Sequence, residues 1–436
     1  MRRLLALAIA AGALAAQAAD APLPYEAKGR HIGVVNCASS LCHGSITEWK
    51  GSNVLQNEYV TWSRVDKHAL RANQVLWNDK SRAIAKNLGL KQPAHEAKIC
   101  VDCHGHNPGP DQRGERFKAA DGVSCEACHG PAEGWVKSHV APGANHADNV
   151  KNGLYPTSDP VALAKLCLSC HFGNKDKFVT HRIMGAGHPR ISFELDTFTQ
   201  TQPAHFVVDE DWTKRKGRWD GIRLWALGQA LAAQEQLDVV LDPKRGRDGL
   251  FPELVVFDCH ACHHPMSDVR WKPRVGTRPG TIRFNDSNLL MVRQIVRRML
   301  PAETATFNDL VLQLHRGVAG EGGDALEAAR RLRAGLGAVV EKLRTREFGD
   351  ADLKAIAAGL VDDGLAGQYH DYAGAEQATM AMGSVLNFLA KRGALGDVKR
   401  ANAALDRVFE SVKDDEKYKP ERFQQALAGL KPIVAR

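Results

Sequence analysis

Cys125-Glu-Ala-Cys128-His129 is the stretch that decides the fold, because the chain carries the same pattern at four other places. Each of these five repeats pairs two cysteines and places a histidine directly after the second one. The other repeats are Cys37-Ala-Ser-Ser-Leu-Cys42-His43, Cys100-Val-Asp-Cys103-His104, Cys167-Leu-Ser-Cys170-His171 and Cys259-His-Ala-Cys262-His263. All ten cysteines of the 436-residue chain belong to the repeats, so none is left over.

Two thiols and an imidazole at this spacing are the attachment signal of haem c. The thiols add to two vinyl groups at one porphyrin edge as thioethers, and the following histidine coordinates the iron from the proximal side. Histidine supplies 18 of the 436 residues. Five pairs all followed by histidine would therefore arise by chance about once in ten million trials. We predict five covalent haems, held by the ten cysteines and by the proximal ligands His43, His104, His129, His171 and His263.

Zinc and disulfides are the structural alternatives for paired cysteines. Cys-x-x-Cys pairs build zinc ribbons, but zinc does not account for a histidine after every pair. Disulfides suit an exported chain, and one stays an alternative for Cys37 and Cys42, which four residues separate instead of two. A longer linker can loop outward, so both thioethers of this first repeat remain feasible.

The ligand on the opposite face of each iron decides between electron transfer and catalysis. A second imidazole stabilises low-spin iron, whereas an open sixth position admits a substrate. His188 lies in a Gly-His-Pro sequence on a tight turn, where the backbone can approach a flat cofactor closely, and we predict it as a distal ligand ahead of His181 and His205. His264 directly follows His263, so it can cap only a neighbouring haem. We expect ordinary solvated or hydrogen-bonded roles for His31, His95, His146, His315 and His370.

Further sequence features lie around the first three repeats, between about residues 31 and 139. They are Trp62-Ser-Arg-Val-Asp-Lys-His68-Ala, Gly122-Val-Ser-Cys125-Glu-Ala-Cys128-His129-Gly130-Pro131, and Ser138-His139. Together with the repeats at Cys37 and Cys100, they resemble the cytochrome c-554 family, multihaem partners of hydroxylamine oxidoreductase. The resemblance covers roughly a quarter to a half of the chain.

The resemblance implies distal ligands for two haems and an open position at a third. In the family, the histidine after the tryptophan ligates the third haem, and the histidine after the Gly-Pro string ligates the first. Carried over, His68 caps the iron of His129, and His139 caps the iron of His43. The family's second haem is five-coordinate, which would make the His104 iron the open one here. A fifth haem and a long C-terminal extension depart from the family's pattern.

The N-terminus predicts export. Arg2 and Arg3 precede an apolar run from Leu4 to Ala16, and the small residues of Ala16-Gln17-Ala18 suit signal peptidase. The apolar run is about 13 residues long, shorter than the roughly 20 that span a bilayer as a helix. We therefore expect a signal peptide over residues 1–18, a periplasmic mature protein and no stable membrane span.

The formal net charge of +8 at first suggests an acidic partner or nucleic acid. Removal of Arg2 and Arg3 with the signal peptide leaves +6 (8 − 2). Five haems would add about ten propionate carboxylates. Because the cofactor-loaded protein would then be near neutral or acidic, we infer no nucleic-acid role from the charge.

The character of the sequence changes near residue 286. All five repeats lie before it, separated by Gly-, Pro- and Asn-rich stretches that favour turns and short helices. Beyond it, amphipathic periodicity predicts helices at 288–300, 324–344, 350–360, 373–391, 397–412 and 420–430. We predict a mainly α fold, with a haem-organised pentahaem cytochrome core and little sheet over 19–285 and a C-terminal helical bundle over 286–436.

The leading functional prediction is electron transfer between redox partner proteins, such as a quinol-linked donor and a periplasmic oxidoreductase. The alternative is an oxidoreductase that acts on nitrite, hydroxylamine, nitric oxide or tetrathionate at one five-coordinate haem, with Lys98 and Arg113 among the nearby cations. The Cys-x-x-Cys-Lys motif of pentahaem nitrite reductase is absent. A filament subunit that conducts through stacked haems is a third class. Spare histidines favour the electron carrier, and its C-terminal helices could form an oligomer contact.

Overall fold

The described residues of the computed structural model are 21–263, 278 and 281–435, and they form two compact units. The first unit contains the described residues up to Ile191 together with Thr199–Trp219. The second contains Ser192–Phe198 together with the described residues from Asp220 onward. The expected signal peptide and His264 lie outside the described residues. The division into domains at residue 286 stays a prediction, and the fifth repeat lies in the second unit.

The first unit consists of short helices joined by turns and single 3-10 turns. Polar caps begin several of them: the Asn78 side chain accepts the Ser81 N–H, and Asp159 accepts from Val161 and Ala162. The helices are α1 (Glu58–Val65), α2 (Leu70–Gln74), α3 (Asp79–Asn87), α4 (Lys98–His104), α5 (Cys125–His129), α6 (His146–Lys151), α7 (Pro160–His171) and α8 (His181–Gly185). Helix α9 (Leu195–Thr201) begins in the second unit, and α10 (Glu210–Lys216) belongs to the first.

Gly122 holds the third repeat against the backbone around His68. Its φ of 76° lies in the left-handed region, and a Cβ there would stand 1.9 Å from the Ala69 carbonyl oxygen. Only glycine fits both constraints. The neighbouring Val123 N–H donates to the His68 carbonyl at 2.8 Å, and the Gly122 carbonyl accepts from His106 N–H at 2.9 Å. The glycine therefore positions three histidine-bearing segments together.

The second unit is built from longer helices. They are α11 (Gly221–Leu241), α12 (Ser287–Met299), α13 (Thr304–Val318), α14 (Ala325–Leu343), α15 (Asp350–Leu365), α16 (Tyr372–Lys391), α17 (Val398–Ser411), α18 (Pro420–Ala428) and α19 (Lys431–Val434). A two-stranded antiparallel ribbon pairs β1 (Arg247–Asp248) with β2 (Phe251–Pro252). Helix α11 packs on α12 and α14, and α16 packs on α12 and α15.

The fold prediction, mainly α with little sheet, is confirmed. Each helix predicted beyond residue 286 is present, with ends within five residues of those expected. The helices α11 and α13 were not predicted, and α11 is buried on nearly every side and shows no polar stripe. No helix among the described residues combines the length and apolar composition needed to cross a membrane.

The two units bury apolar surface in different ways. In the first unit the buried apolar side chains form small clusters, such as Leu76 with Ala85 and Ala94. The largest fully buried side chains, headed by Trp225 and Tyr418, all lie in the second unit. The second unit therefore has the apolar core of an ordinary helical domain, and the first does not.

Asp363 is the acceptor at the centre of a buried ionic network in the second unit. It accepts from Arg293 Nη2 at 2.7 Å, Gln294 Nε2 at 2.5 Å and Arg297 Nη1 at 2.9 Å. The preceding residue, Asp362, is exposed and pairs with Lys431 at 3.3 Å. Two adjacent aspartates thus both pair with cations, one of them buried and the other exposed.

We expect Asp363→Ala to lower the free energy of unfolding by about 3 kcal/mol, because it leaves buried guanidinium and amide groups without their acceptor. Asp362→Ala is the matched control and changes it by about 0.5 kcal/mol or less, since exposed ion pairs contribute little. Denaturant titration followed by far-ultraviolet circular dichroism measures both. Equal losses in the two variants would contradict the assigned role of the network.

Candidate cofactor site

The cysteines of different repeats lie close together in the first unit. The Cys37 sulfur is within hydrogen-bonding reach of Cys125, and Cys103 is within reach of Cys170. No disulfide joins any of the ten cysteines, all of which are among the described residues. The first repeat therefore adjoins the third, and the second adjoins the fourth.

Four pairs of histidine rings face each other in the first unit. In every pair one ring comes from residues 43–129 and the other from residues 139–205. The centroid separations are 6.4 Å for His43 and His139, 6.2 Å for His104 and His188, 6.4 Å for His129 and His205, and 5.9 Å for His68 and His171. All four proximal histidines of the first unit belong to these pairs.

These separations fit one metal ion between two imidazoles. A metal–imidazole nitrogen bond is about 2.0 Å long, and each nitrogen lies about 1.1 Å from its ring centroid, so opposed ligands place the centroids roughly 6.2 Å apart. No group of three or more His, Cys, Asp or Glu side chains in the described ranges is arranged to hold a lone metal ion. Two opposed imidazoles beside a thiol pair suit the axial positions of haem.

Hydrogen bonds at Nδ1 orient five of the paired rings. When Nδ1 donates, the neutral ring presents the lone pair of Nε2, which is the nitrogen left for a metal. The acceptors are Glu58 Oε2 for His43 at 2.9 Å, Asp66 Oδ1 for His68 at 2.9 Å, and the carbonyl oxygens of Ala72, Val136 and Pro189 for His104, His139 and His188 at 3.1, 2.6 and 2.7 Å.

The two carboxylate acceptors change the electrostatics of their partners. The bond to Glu58 raises the pKa of His43, and the bond to Asp66 raises that of His68. Burial opposes ionisation of Asp66, but its bonds from His68 and Gln202 outweigh burial and lower its pKa to about 2. Asp66 is thus a fixed negative charge behind the His68 ring.

The ring pairs coincide with the ligand pairs that the family resemblance implies at one place and differ from them at another. His139 lies opposite His43, as expected, whereas His68 lies opposite His171 instead of His129. The ring opposite His68 belongs to the fourth repeat, on α7, which lies beyond the segment that carries the resemblance.

The third repeat faces a histidine that sequence reasoning ranked low. His205, in the loop between α9 and α10, lies opposite His129. No short sequence pattern marks it as a ligand, and only the fold brings it to the site. The iron of the second repeat was expected to be five-coordinate, and His188 was predicted as a distal ligand without an assigned haem. The structure places His188 opposite His104 of that repeat.

Histidines expected to have ordinary roles include three with clear partners. His146 Nε2 is 2.9 Å from Ser158 Oγ, His315 Nε2 is 3.0 Å from Asp286 Oδ2, and the His95 ring stacks on Trp77 at 3.5 Å. His181 is the first residue of α8.

The fifth repeat lies in the second unit, next to a cleft. A 3-10 turn spans Cys259–Ala261, and Asp258 caps it by accepting the His260 N–H at 3.0 Å. The buried Asp258 carboxylate also pairs with Arg283 at 2.9 Å. The cleft is lined by His260, Arg283, His370, Asp371, Tyr418 and Pro420. His263 ends this described segment, and its neighbour His264 falls outside it.

Paired thiols followed by histidine, together with opposed imidazoles, define a c-type cytochrome, a class that holds haem covalently and serves electron transfer. Residues 36–130 match the family model described as cytochrome c554 and c-prime, which confirms the resemblance expected from the sequence. The match includes the first three repeats and ends before the last two. No curated protein and no solved structure gives a significant match to the chain.

We expect His188→Ala to convert one low-spin ferric haem to high spin, because the variant removes the imidazole opposite His104. His146→Ala is the control, since its ring bonds Ser158 and leaves every ring pair intact. Electron paramagnetic resonance of the two oxidised proteins measures the change. A His188→Ala protein without a new high-spin signal would show that this histidine is not an iron ligand.

Proposed function

We propose that the chain is a periplasmic pentahaem c-type cytochrome that transfers electrons between redox partner proteins. The observation that carries the proposal is the set of four opposed imidazole pairs, which suits iron with both axial positions filled. Such iron exchanges electrons with little change in geometry and has no position for a substrate. The export signal predicted over residues 1–18 supports the compartment.

The proposed cofactor-binding residues follow the repeats. Cys37 and Cys42, Cys100 and Cys103, Cys125 and Cys128, Cys167 and Cys170, and Cys259 and Cys262 form the thioethers. Four of the haem irons would be held by the pairs His43 with His139, His104 with His188, His129 with His205, and His171 with His68. His263 is the proximal ligand of the fifth. Haem bound in this way supplies a ferric–ferrous couple that carries one electron.

Contacts between cysteines of different repeats indicate which haems would be neighbours. Contact between Cys37 and Cys125, and between Cys103 and Cys170, supports close approach of the first and third porphyrin edges and of the second and fourth. Each thioether sulfur is bonded to a porphyrin edge, so adjacent sulfurs favour short paths for electrons. The helical second unit would carry the fifth haem.

Glu58 and Asp66 would tune two of the potentials. A carboxylate that accepts the Nδ1–H makes the imidazole a stronger donor to iron and favours the ferric state. His104, His139 and His188 bond only backbone carbonyls through Nδ1. The chain therefore offers at least two classes of ligand environment for a graded series of potentials.

The alternative function is a multihaem oxidoreductase that acts on nitrite, hydroxylamine, nitric oxide or tetrathionate at one five-coordinate haem. The His188 ring opposite His104 argues against the second repeat as that place. The cleft beside the fifth repeat is the candidate place for it among the described residues, because His370 and the Asp258-paired guanidinium of Arg283 line it.

We expect intact-mass spectrometry of the mature protein to show five covalent haems. The Cys259→Ser, Cys262→Ser double variant should carry four, since it removes only the fifth attachment site. A wild-type mass with four haems would contradict the proposed count. A mass without any haem would overturn the function as a whole.

Addition of nitrite or hydroxylamine to the oxidised wild-type protein should leave its electron paramagnetic resonance spectrum unchanged if it is an electron carrier. A high-spin signal that shifts on addition would favour the oxidoreductase. Arg283→Gln then distinguishes the site, because a response at the cleft would weaken in that variant and a response at another haem would persist.

A further inference from the structure

The turn that follows the fourth repeat is held by an asparagine. Beyond the end of α7, Gly173 pairs with Phe178 in an isolated antiparallel bridge. The Asn174 Oδ1 atom accepts the backbone N–H groups of Asp176 at 3.0 Å and of Lys177 at 3.3 Å. Such bonds from an asparagine side chain to the following backbone stabilise tight turns. The chain therefore reverses over residues 173–178, and Lys177 returns toward the repeat that it follows.

Tyr25 anchors this turn to the N-terminal segment of the first unit. Its hydroxyl donates to Asp176 Oδ2 at 3.1 Å and accepts from Asn174 Nδ2 at 2.8 Å. The same aromatic ring lies under the Lys177 ammonium, with Nζ 4.7 Å from the ring centroid. A cation at this distance from an aromatic face is attracted by the ring quadrupole. Tyr25 therefore fixes both the turn and the lysine that the turn carries.

Lys177 contacts the second and the fourth repeat at once. Its Nζ donates to the Asp102 carbonyl oxygen at 2.6 Å and to Cys170 Sγ at 3.0 Å. Asp102 lies between the two cysteines of the second repeat, and Cys170 is the second cysteine of the fourth. Cys103 is within hydrogen-bonding reach of Cys170. One ammonium therefore lies where the attachment residues of two repeats meet.

The contact between the ammonium and the sulfur is compatible with attachment of a porphyrin. Cys103, Cys170 and Lys177 are each half-buried, so the protein does not seal this junction. A thioether sulfur retains its lone pairs and remains a weak acceptor. Formation of the thioether at Cys170 therefore does not require the lysine to leave.

The carboxylate at the junction is directed at other partners. Asp102 Oδ1 accepts from Asn107 Nδ2 at 2.6 Å, and Asp102 Oδ2 pairs with Lys98. Among the described residues, the contacts of Lys177 are thus a carbonyl, a sulfur and a ring face, none of which carries a full negative charge. A half-buried charge is also screened by salt less than an exposed one. The positive charge of Lys177 therefore acts on its surroundings.

We propose that Lys177 raises the reduction potential of the haem held by the fourth repeat. Ferric haem carries one more positive charge than ferrous haem, so a fixed ammonium at the thioether edge favours the reduced state. Lys177 does not bind the iron and acts through its charge. The inference rests on the proposed haem binding and adds a residue outside the repeats that sets a potential.

The same haem would have a charge of opposite sign on its axial side. His68 is the ring opposite His171, and the Asp66 carboxylate behind His68 favours the ferric state. Asp66 and Lys177 would therefore shift one potential in opposite directions. This opposition gives each residue an expected sign.

The test uses the haem-loaded protein and a redox titration with optical detection. Lys177→Gln removes the charge but retains a donor for the Asp102 carbonyl. We expect this variant to keep five haems and to lower one reduction potential. The ferrous-to-ferric ratio of that haem at a fixed ambient potential should fall about tenfold, which corresponds to about 59 mV for a one-electron couple. Lys177→Arg retains the charge and should keep the wild-type potential.

Lys175→Gln is the matched control in the same turn. Lys175 is exposed and pairs with Glu26 at 3.3 Å. Its replacement removes one positive charge from the protein and leaves the junction intact, so all potentials should stay unchanged. Equal downward shifts in Lys175→Gln and Lys177→Gln would indicate a general charge effect and overturn the inference.

Asp66→Asn identifies the haem. It should raise the same potential that Lys177→Gln lowers, because both side chains are assigned to the haem of the fourth repeat. Shifts at two different haems would contradict that assignment.

Tyr25→Leu keeps the test decisive if Lys177→Gln does not bind five haems. It removes the ring under the ammonium and leaves every attachment residue in place, so it should lower the same potential by a smaller amount. Unchanged potentials in whichever of the two variants carries five haems would overturn this inference and leave the proposed function intact. Absence of haem from the mature wild-type protein would be a failure of the proposed function.

Discussion

The hydrogen bond at histidine Nδ1 is the interaction on which the candidate site depends. It fixes the tautomer and the rotation of the ring, and so it decides whether Nε2 points toward the opposite imidazole. Glu58 and Asp66 provide this bond through carboxylates, whereas Ala72 and Pro189 provide it through backbone carbonyls. The backbone acceptors need only a local turn. The carboxylates are fixed in turn by their own bonds, as Asp66 is by Gln202.

The local half of the site could be predicted from the sequence, and the distant half only in part. Attachment of a porphyrin requires two thiols and a histidine within a few residues, so His104 and His129 are readable as proximal residues without a fold. The rings opposite them come from far along the chain. His188 carried a local signal, its glycine and proline neighbours, but His205 carried none, and the pairing of His68 with His171 depends on how α7 packs.

Whether a helix could be predicted depended largely on whether its sequence shows an apolar stripe. A helix with one buried face shows an apolar stripe, and α17 was predicted almost to its ends for that reason. Helix α11 is apolar on nearly every face, which erases the stripe. The first unit is harder still, because few of its own large side chains form a core. The stretches between its repeats are rich in turn residues. Such stretches lack the amphipathic periodicity from which helices are predicted.

The family match covers only part of the segment that carries the ring pairs. The matched segment, residues 36–130, contains one ring of every pair, and the other ring always follows residue 130. The matched segment therefore does not complete any of the four opposed pairs by itself. His188, beyond the matched segment, lies opposite His104, where the family resemblance implies an open iron. With His188 as the axial ligand proposed there, the candidate place for a substrate is the cleft beside the fifth repeat.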